Sequence, residues 1–216
     1  ELAAENGILY MLEQIMGLPE GEKVTLVPIG PLTNIALLLK TFPEVKEKIE
    51  EIVLMGGAAV GGNVTPTAEF NIWEDPEAAR IVFSSGISIV MCGLDVTRKC
   101  IMTREQIAAL AASRGSVQNA YGQMLQFYLD SPSYRGCDGA AVHDAATILY
   151  LLHPELFSGR KMQVEIDCSE GLNRGMTVCD MRRSAISRPG DVLVLDDVNL
   201  PAFQEAILHI LAGYDI

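Results

Sequence analysis

A chain of 216 residues that is 49% apolar and 20% charged can bury a substantial core, which excludes disorder. With 16 Lys and Arg against 28 Asp and Glu, the formal charge of -12 repels phosphodiester backbones and anionic lipid, so nucleic acid and membrane surfaces are excluded as partners. The first residue is Glu1, and residues 1–16 already read as a helix, with Ile8, Met11, Leu12 and Ile15 on one face. This opening suggests a piece of something longer.

Val24 to Ile29 is a short β-branched run that predicts a strand, and Gly30-Pro31 then opens a helical pattern through Leu32, Ile35, Ala36 and Leu39 that stops near Pro43. Ile52 to Met55 predicts a second strand ending in Gly56-Gly57, and a long polar loop follows. Pro76 sits where the first turn of a helix over Glu77–Ser84 tolerates a missing N–H, and Ile87 to Cys92 predicts the third strand. Thr103 and Gln106 fit a capping box ahead of a helix through Ile107–Ala112. Further helices are predicted over Val117–Leu129 and Asp144–Leu152, on either side of the loop Asp130–Gly139. Strands over Met162–Ile166, Met176–Asp180 and Val192–Leu195 precede a closing helix, Pro201–Ala212. Apolar strands joined by helical crossovers predict a single α/β domain over residues 1–216, an open and mostly parallel sheet with flanking helices.

Five cysteines, Cys92, Cys100, Cys137, Cys168 and Cys179, show no CxxC pair or zinc-site spacing, and most lie in apolar runs. Reduced core cysteines are favoured over disulfides. With no long apolar stretch and no leader pattern, a cytoplasmic location is expected.

In open parallel sheets, ligands bind beyond the carboxyl ends of the strands. Three polar clusters are expected at such ends: Ile29 to Asn34, Gly61 to Trp73, and His143-Asp144. No GxSxG, P-loop, HExxH or GxGxxG signature is present. Asn63, Glu69 and Asn71 put two carboxamides and a carboxylate on one glycine-containing loop, a set that can bind vicinal hydroxyls of a sugar or, equally, form turns and cap the next helix. Phe70 and Trp73 are expected in the core rather than against a sugar or base. Asp144 is either an N-cap or a ligand for a hard cation, and His143 beside it could donate a proton to a leaving group. His153 and His209 are read as structural or solvated.

Together, Val27-Pro-Ile-Gly-Pro-Leu-Thr-Asn-Ile-Ala36, Val53-Leu-Met-Gly-Gly57, Gly62-Asn-Val-Thr-Pro-Thr-Ala-Glu-Phe-Asn71, Asp75-Pro-Glu-Ala-Ala79, Gly93-Leu-Asp-Val-Thr97 and His143-Asp-Ala-Ala146 resemble the nucleoside hydrolase family, inosine–uridine-preferring type. The motifs occur in order over nearly the whole chain. The resemblance implies a Rossmann-like fold and calcium-dependent hydrolysis of the N-glycosidic bond of ribonucleosides. It implies that Asp144 is a calcium ligand, that Ile29 gives a backbone carbonyl to the same ion, that Asn63, Glu69 and Asn71 grip the ribose, and that His143 assists departure of the base. Asp75, Asp95 and Thr97 are read as structural. A base pocket is implied within about Tyr121–Gly139, with Gln123, Tyr128 and Tyr134 as candidates, and homo-oligomers, tetramers or dimers, are implied as well.

The family's aspartate-rich motif, Asp-x-Asp-x-Gly-x-Asp-Asp, does not occur in residues 1–216. That motif supplies most of the protein's calcium ligands and the base that activates water. The expectation is therefore a carboxyl-terminal portion of a nucleoside hydrolase, a fold incomplete at its amino terminus, which binds calcium weakly and is inactive alone. A non-catalytic nucleoside- or sugar-binding module and an inactive remnant are the competing readings.

Overall fold

In the computed structural model, residues 6–134, 136–182 and 190–214 are described. Residues 1–5 of the expected opening helix and Arg135 of the loop Asp130–Gly139 lie outside them. Along the chain run α1 (Gly7–Met16), β1 (Val24–Leu26), α2 (Thr33–Thr41), β2 (Ile49–Met55), α3 (Phe70–Glu74), α4 (Pro76–Phe83), β3 (Ser88–Cys92) and α5 (Leu94–Thr97). Then come β4 (Ile101–Thr103), α6 (Arg104–Ala111), α7 (Ser116–Leu129), β5 (Gly139–Ala141), α8 (Ala145–Leu152), β6 (Phe157–Met162), β7 (Val164–Ile166), β8 (Thr177–Cys179), β9 (Val192–Val198) and α9 (Leu200–Ala212). They fall into two compact units, Glu1–Asp95 with Gly159–Asp196, and Val96–Ser158 with Asp197–Ile216.

The first unit carries a five-stranded sheet in the order β1-β2-β3-β9-β6, apart from the end residues of β6 and β9. The β1–β2, β2–β3 and β3–β9 pairings are parallel, so the sheet is mostly parallel, as the apolar runs predict. Ile52 to Met55 and Ile89 to Cys92 are buried without alternation, the pattern of strands covered on both faces. The core against them includes Ile35, Leu38 and Leu39 from α2 and Ala78, Ala79 and Val82 from α4. Pro76 does occupy the first turn of α4, and Asp75 caps it by accepting from the Ala78 N–H at 3.0 Å. The other Asp75 oxygen accepts from the Thr33 hydroxyl at 2.5 Å, which ties the start of α2 to the start of α4.

The second unit holds the antiparallel pair β4–β5 and helices α6 to α9. Thr103 and Gln106 form the reciprocal capping box that the sequence announces. Phe203 of α9 is fully buried and meets the Phe157 ring edge-on at 6.1 Å.

Several local expectations are corrected. β1 ends at Leu26, ahead of Pro28, which has no N–H for a ladder. The run Met162–Ile166 divides between β6 and β7, and β7 pairs antiparallel with β8 in its own two-stranded sheet. His143-Asp144 follows β5, a strand of the β4–β5 pair and not of the five-stranded sheet. Phe70 and Trp73 are 45% and 40% exposed and are not core residues; in α3 it is Asn71 and Ile72 that face inward. Cys137 is exposed, unlike buried Cys92 and Cys100, and no disulfide joins cysteines among the described residues.

Candidate active site

In the first unit, the chain leaves β2 through Gly56-Gly57 into a loop held by side chains from three distant points. Four successive backbone N–H groups each meet a side-chain oxygen. Gly57 donates to Glu69 Oε2 at 2.9 Å, Ala58 to Thr177 Oγ1 at 2.9 Å, and Ala59 and Val60 to the Asp95 carboxylate at 2.7 and 3.1 Å. The Thr177 hydroxyl in turn donates to the Ala58 carbonyl at 2.5 Å. Gly57 has φ +76°, and a Cβ there would lie 2.8 Å from Thr177 Cγ2, so conformation and space both call for glycine. Further on, a Cβ at Gly62 would overlap the Thr65 and Ala68 carbonyl oxygens, the tightest point of the turn that leads to Glu69.

Glu69 is 3% exposed. Besides Gly57, its Oε2 accepts from the N–H groups of Asn71 at 2.9 Å and Ile72 at 3.3 Å, which makes it the N-cap of α3. Asn71 donates through Nδ2 to the Met55 carbonyl at the end of β2, at 3.0 Å. Exposed Asn63 accepts through Oδ1 from the Phe70 N–H at 2.9 Å. The three residues singled out for sugar binding are thus brought together around one turn. Among the described residues, Asn63 Nδ2 and Asn71 Oδ1 have no hydrogen-bond partner, leaving one donor and one acceptor open. Ile29 lies on the loop after β1, the strand beside β2, is 50% exposed, and its carbonyl accepts no hydrogen bond from the described residues.

In the second unit, His143 and Asp144 lead into α8. Asp144 has helical backbone angles and makes no side-chain cap, so its N-cap alternative does not hold. Its carboxylate reaches solvent and bonds to no described residue, and partial burial raises its pKa against the opposing effect of His143. The imidazole of His143 lies 2.8 Å through Nδ1 from the hydroxyl of Thr97, at the end of α5. Burial lowers the pKa of His143; the Asp144 carboxylate opposes that shift and the Arg98 guanidinium adds to it. Burial thus favours the neutral imidazole, beside a carboxylate that bonds to no described residue.

Both residues line a pocket of about 240 Å³ together with Tyr121, Leu125, Tyr128 and Val142. Of the expected base-pocket residues, Tyr128 lines it and Tyr134 packs edge-on against Tyr128 at 5.5 Å, whereas Gln123 is exposed and bonded to Asn119. Tyr121 is a lining residue the sequence did not single out. Its place follows from α7 carrying Tyr121, Leu125 and Tyr128 on one face, a spacing of four and three. Asp95 and Thr97 do hold structure, but Thr97 does so at His143 itself.

The family model described as inosine-uridine preferring nucleoside hydrolase matches residues 1–205. The chain belongs to that family. It is 47% identical over 196 residues to the pyrimidine-specific ribonucleoside hydrolase RihA of Shewanella oneidensis, covering 89% of this chain and 61% of the relative. With RihA of Shewanella sp. strain ANA-3 it shares 44% over 214 residues, 98% of this chain and 66% of the relative. The chain therefore spans less than two thirds of the length of these curated relatives. Among solved structures, a purine-preferring ribonucleoside hydrolase from Gardnerella vaginalis superposes with a TM-score of 0.87 at 30% identity, over all of this chain and 68% of the other.

Proposed function

We propose that the protein to which this chain belongs hydrolyses the N-glycosidic bond of ribonucleosides to ribose and free base, with pyrimidine ribonucleosides as its substrates. The observation that carries this reading is the family match, which runs through both units. The pyrimidine choice follows the relatives at 44–47% identity over the purine-preferring structure at 30%. On this reading the two units are parts of one hydrolase domain, and residues 1–216 are its carboxyl-terminal portion.

Cleavage of a glycosidic bond passes through an oxocarbenium-like state, so the enzyme must fix the sugar and help the base leave. We assign Asn63, Glu69 and Asn71 to the ribose hydroxyls, Glu69 acting from a carboxylate already fixed by backbone donors. We assign His143 to the departing base, with Tyr121 and Tyr128 walling the pocket beside it.

The resemblance assigns calcium to Asp144 and the Ile29 carbonyl, but the described residues do not fit that ion. Calcium takes six to eight oxygen ligands, and among the described residues no three His, Cys, Asp or Glu side chains are grouped as metal ligands. We propose instead that this chain alone binds calcium weakly and lacks turnover; tight stoichiometric binding in a calorimetric titration would overturn this. Five cysteines with no disulfide among the described residues support a cytoplasmic location, and the family resemblance supports a homo-oligomer. No helix among the described residues is long and apolar enough to cross a membrane.

The test is ribose release by the full-length protein from uridine, cytidine and inosine. Release from the two pyrimidine nucleosides, with inosine slower, supports the proposal. Nucleoside binding without ribose release would favour the non-catalytic module, and faster cleavage of inosine would overturn the pyrimidine choice.

A further inference from the structure

Thr97 is fully buried, and among the described residues its hydroxyl has one hydrogen-bond partner, Nδ1 of His143 at 2.8 Å. Two arrangements fit that distance. If Nδ1 carried the proton, it would donate to Oγ1, and the Thr97 hydroxyl hydrogen would be left in the interior with no acceptor. If Nδ1 is the acceptor, the hydroxyl donates to it and every buried hydrogen is placed. A buried donor without a partner bears the full cost of its lost hydration, whereas a hydroxyl oxygen that accepts nothing loses little.

We propose that Thr97 is a positioning residue that fixes His143 as the tautomer protonated on Nε2. Among the described residues Nε2 has no hydrogen-bond partner, and no side-chain nitrogen or oxygen sealed from solvent lacks one, so Nε2 is open to solvent. His143 also lines the pocket with Tyr121 and Tyr128. In its neutral form the imidazole therefore presents a hydrogen-bond donor, not a lone pair. Resting on the hydrolase reading, this specifies what His143 offers the departing base: a hydrogen bond to the negative charge that accumulates as the glycosidic bond breaks, with the proton remaining on Nε2. A tautomer set from behind the ring by a buried partner is a known way of orienting a functional histidine.

The experiment is long-range ¹H–¹⁵N NMR of the ¹⁵N-labelled chain, without metal or substrate, at a pH where the ring is neutral. The chain has three histidines, and the other two are assigned by His153→Gln and His209→Gln, leaving His143. The expected spectrum shows Nδ1 at the shift of an unprotonated ring nitrogen and Nε2 at that of a protonated one, with the Nε2–H form in excess by about tenfold or more. Thr97→Ser should keep this pattern, and Thr97→Val, which keeps the shape and removes the hydroxyl, should move both shifts toward the average of the two tautomers. A protonated Nδ1 in the unsubstituted chain would overturn the assignment. So would an unchanged pattern in folded Thr97→Val, since Thr97 would then not set the tautomer. Neither result touches the hydrolase reading, which stands or falls on ribose release.

Discussion

Glu69 and Asp144 occupy the same kind of position, an acidic residue immediately before a helix, and they are used in opposite ways. The Glu69 carboxylate is buried and accepts from three backbone N–H groups, so it closes the turn after β2 and starts α3 at once. The Asp144 carboxylate caps nothing, bonds to no described residue and stands beside His143 on the wall of a pocket. A carboxylate that satisfies backbone donors is serving the fold. One left open where a cap was available remains free for a ligand, as the proposed function requires of it.

The largest expected effect separates the two directly. Glu69→Ala strands three backbone donors in the interior and should cost at least about 3 kcal/mol of unfolding free energy, read from urea denaturation. A cost under about 1 kcal/mol would mean that the turn does not depend on Glu69.

Gly57→Ala tests the same turn from the backbone side. At φ +76°, with a Cβ 2.8 Å from Thr177 Cγ2, alanine should cost about 1–3 kcal/mol by the same measurement. Asp144→Asn should move stability by no more than about 0.5 kcal/mol at neutral pH, since it breaks no hydrogen bond within the described residues.

The smallest effect carries a sign. The pKa of Asp144 is raised on folding, so above the unfolded value of 3.8 the folded state holds more protons than the unfolded one. Its contribution to stability is therefore present at low pH and is lost as pH rises through the folded pKa. In chelated buffer, Asp144→Asn should gain stability relative to the unsubstituted chain between pH 4 and pH 7. A relative loss over that range would show that the carboxylate has a stabilising partner.

What could be read from the sequence is what is decided within a few residues. The three parallel strands of the first half, Pro76 opening α4 and the Thr103–Gln106 box all rest on local pattern, and all are present. The failures are long-range or very short. Thr177 reaches Ala58 across 119 positions and Thr97 reaches His143 across 46, and no periodicity encodes either. α3 is 5 residues long, too short for a periodic face to show, and its exposed Phe70 and Trp73 resemble core residues in composition alone. The β4–β5 strands are 3 residues each, below the length at which alternation is visible, so the strand ahead of His143-Asp144 does not show in the sequence.

The most direct test of the contrast is made in the full-length protein with Asp144→Asn. Steady-state ribose release from uridine is measured on samples whose urea midpoint has been checked. The account predicts a loss in kcat/KM of about a hundredfold or more with the midpoint unchanged. Activity within tenfold of the unsubstituted enzyme, or a loss that only tracks unfolding, would contradict it.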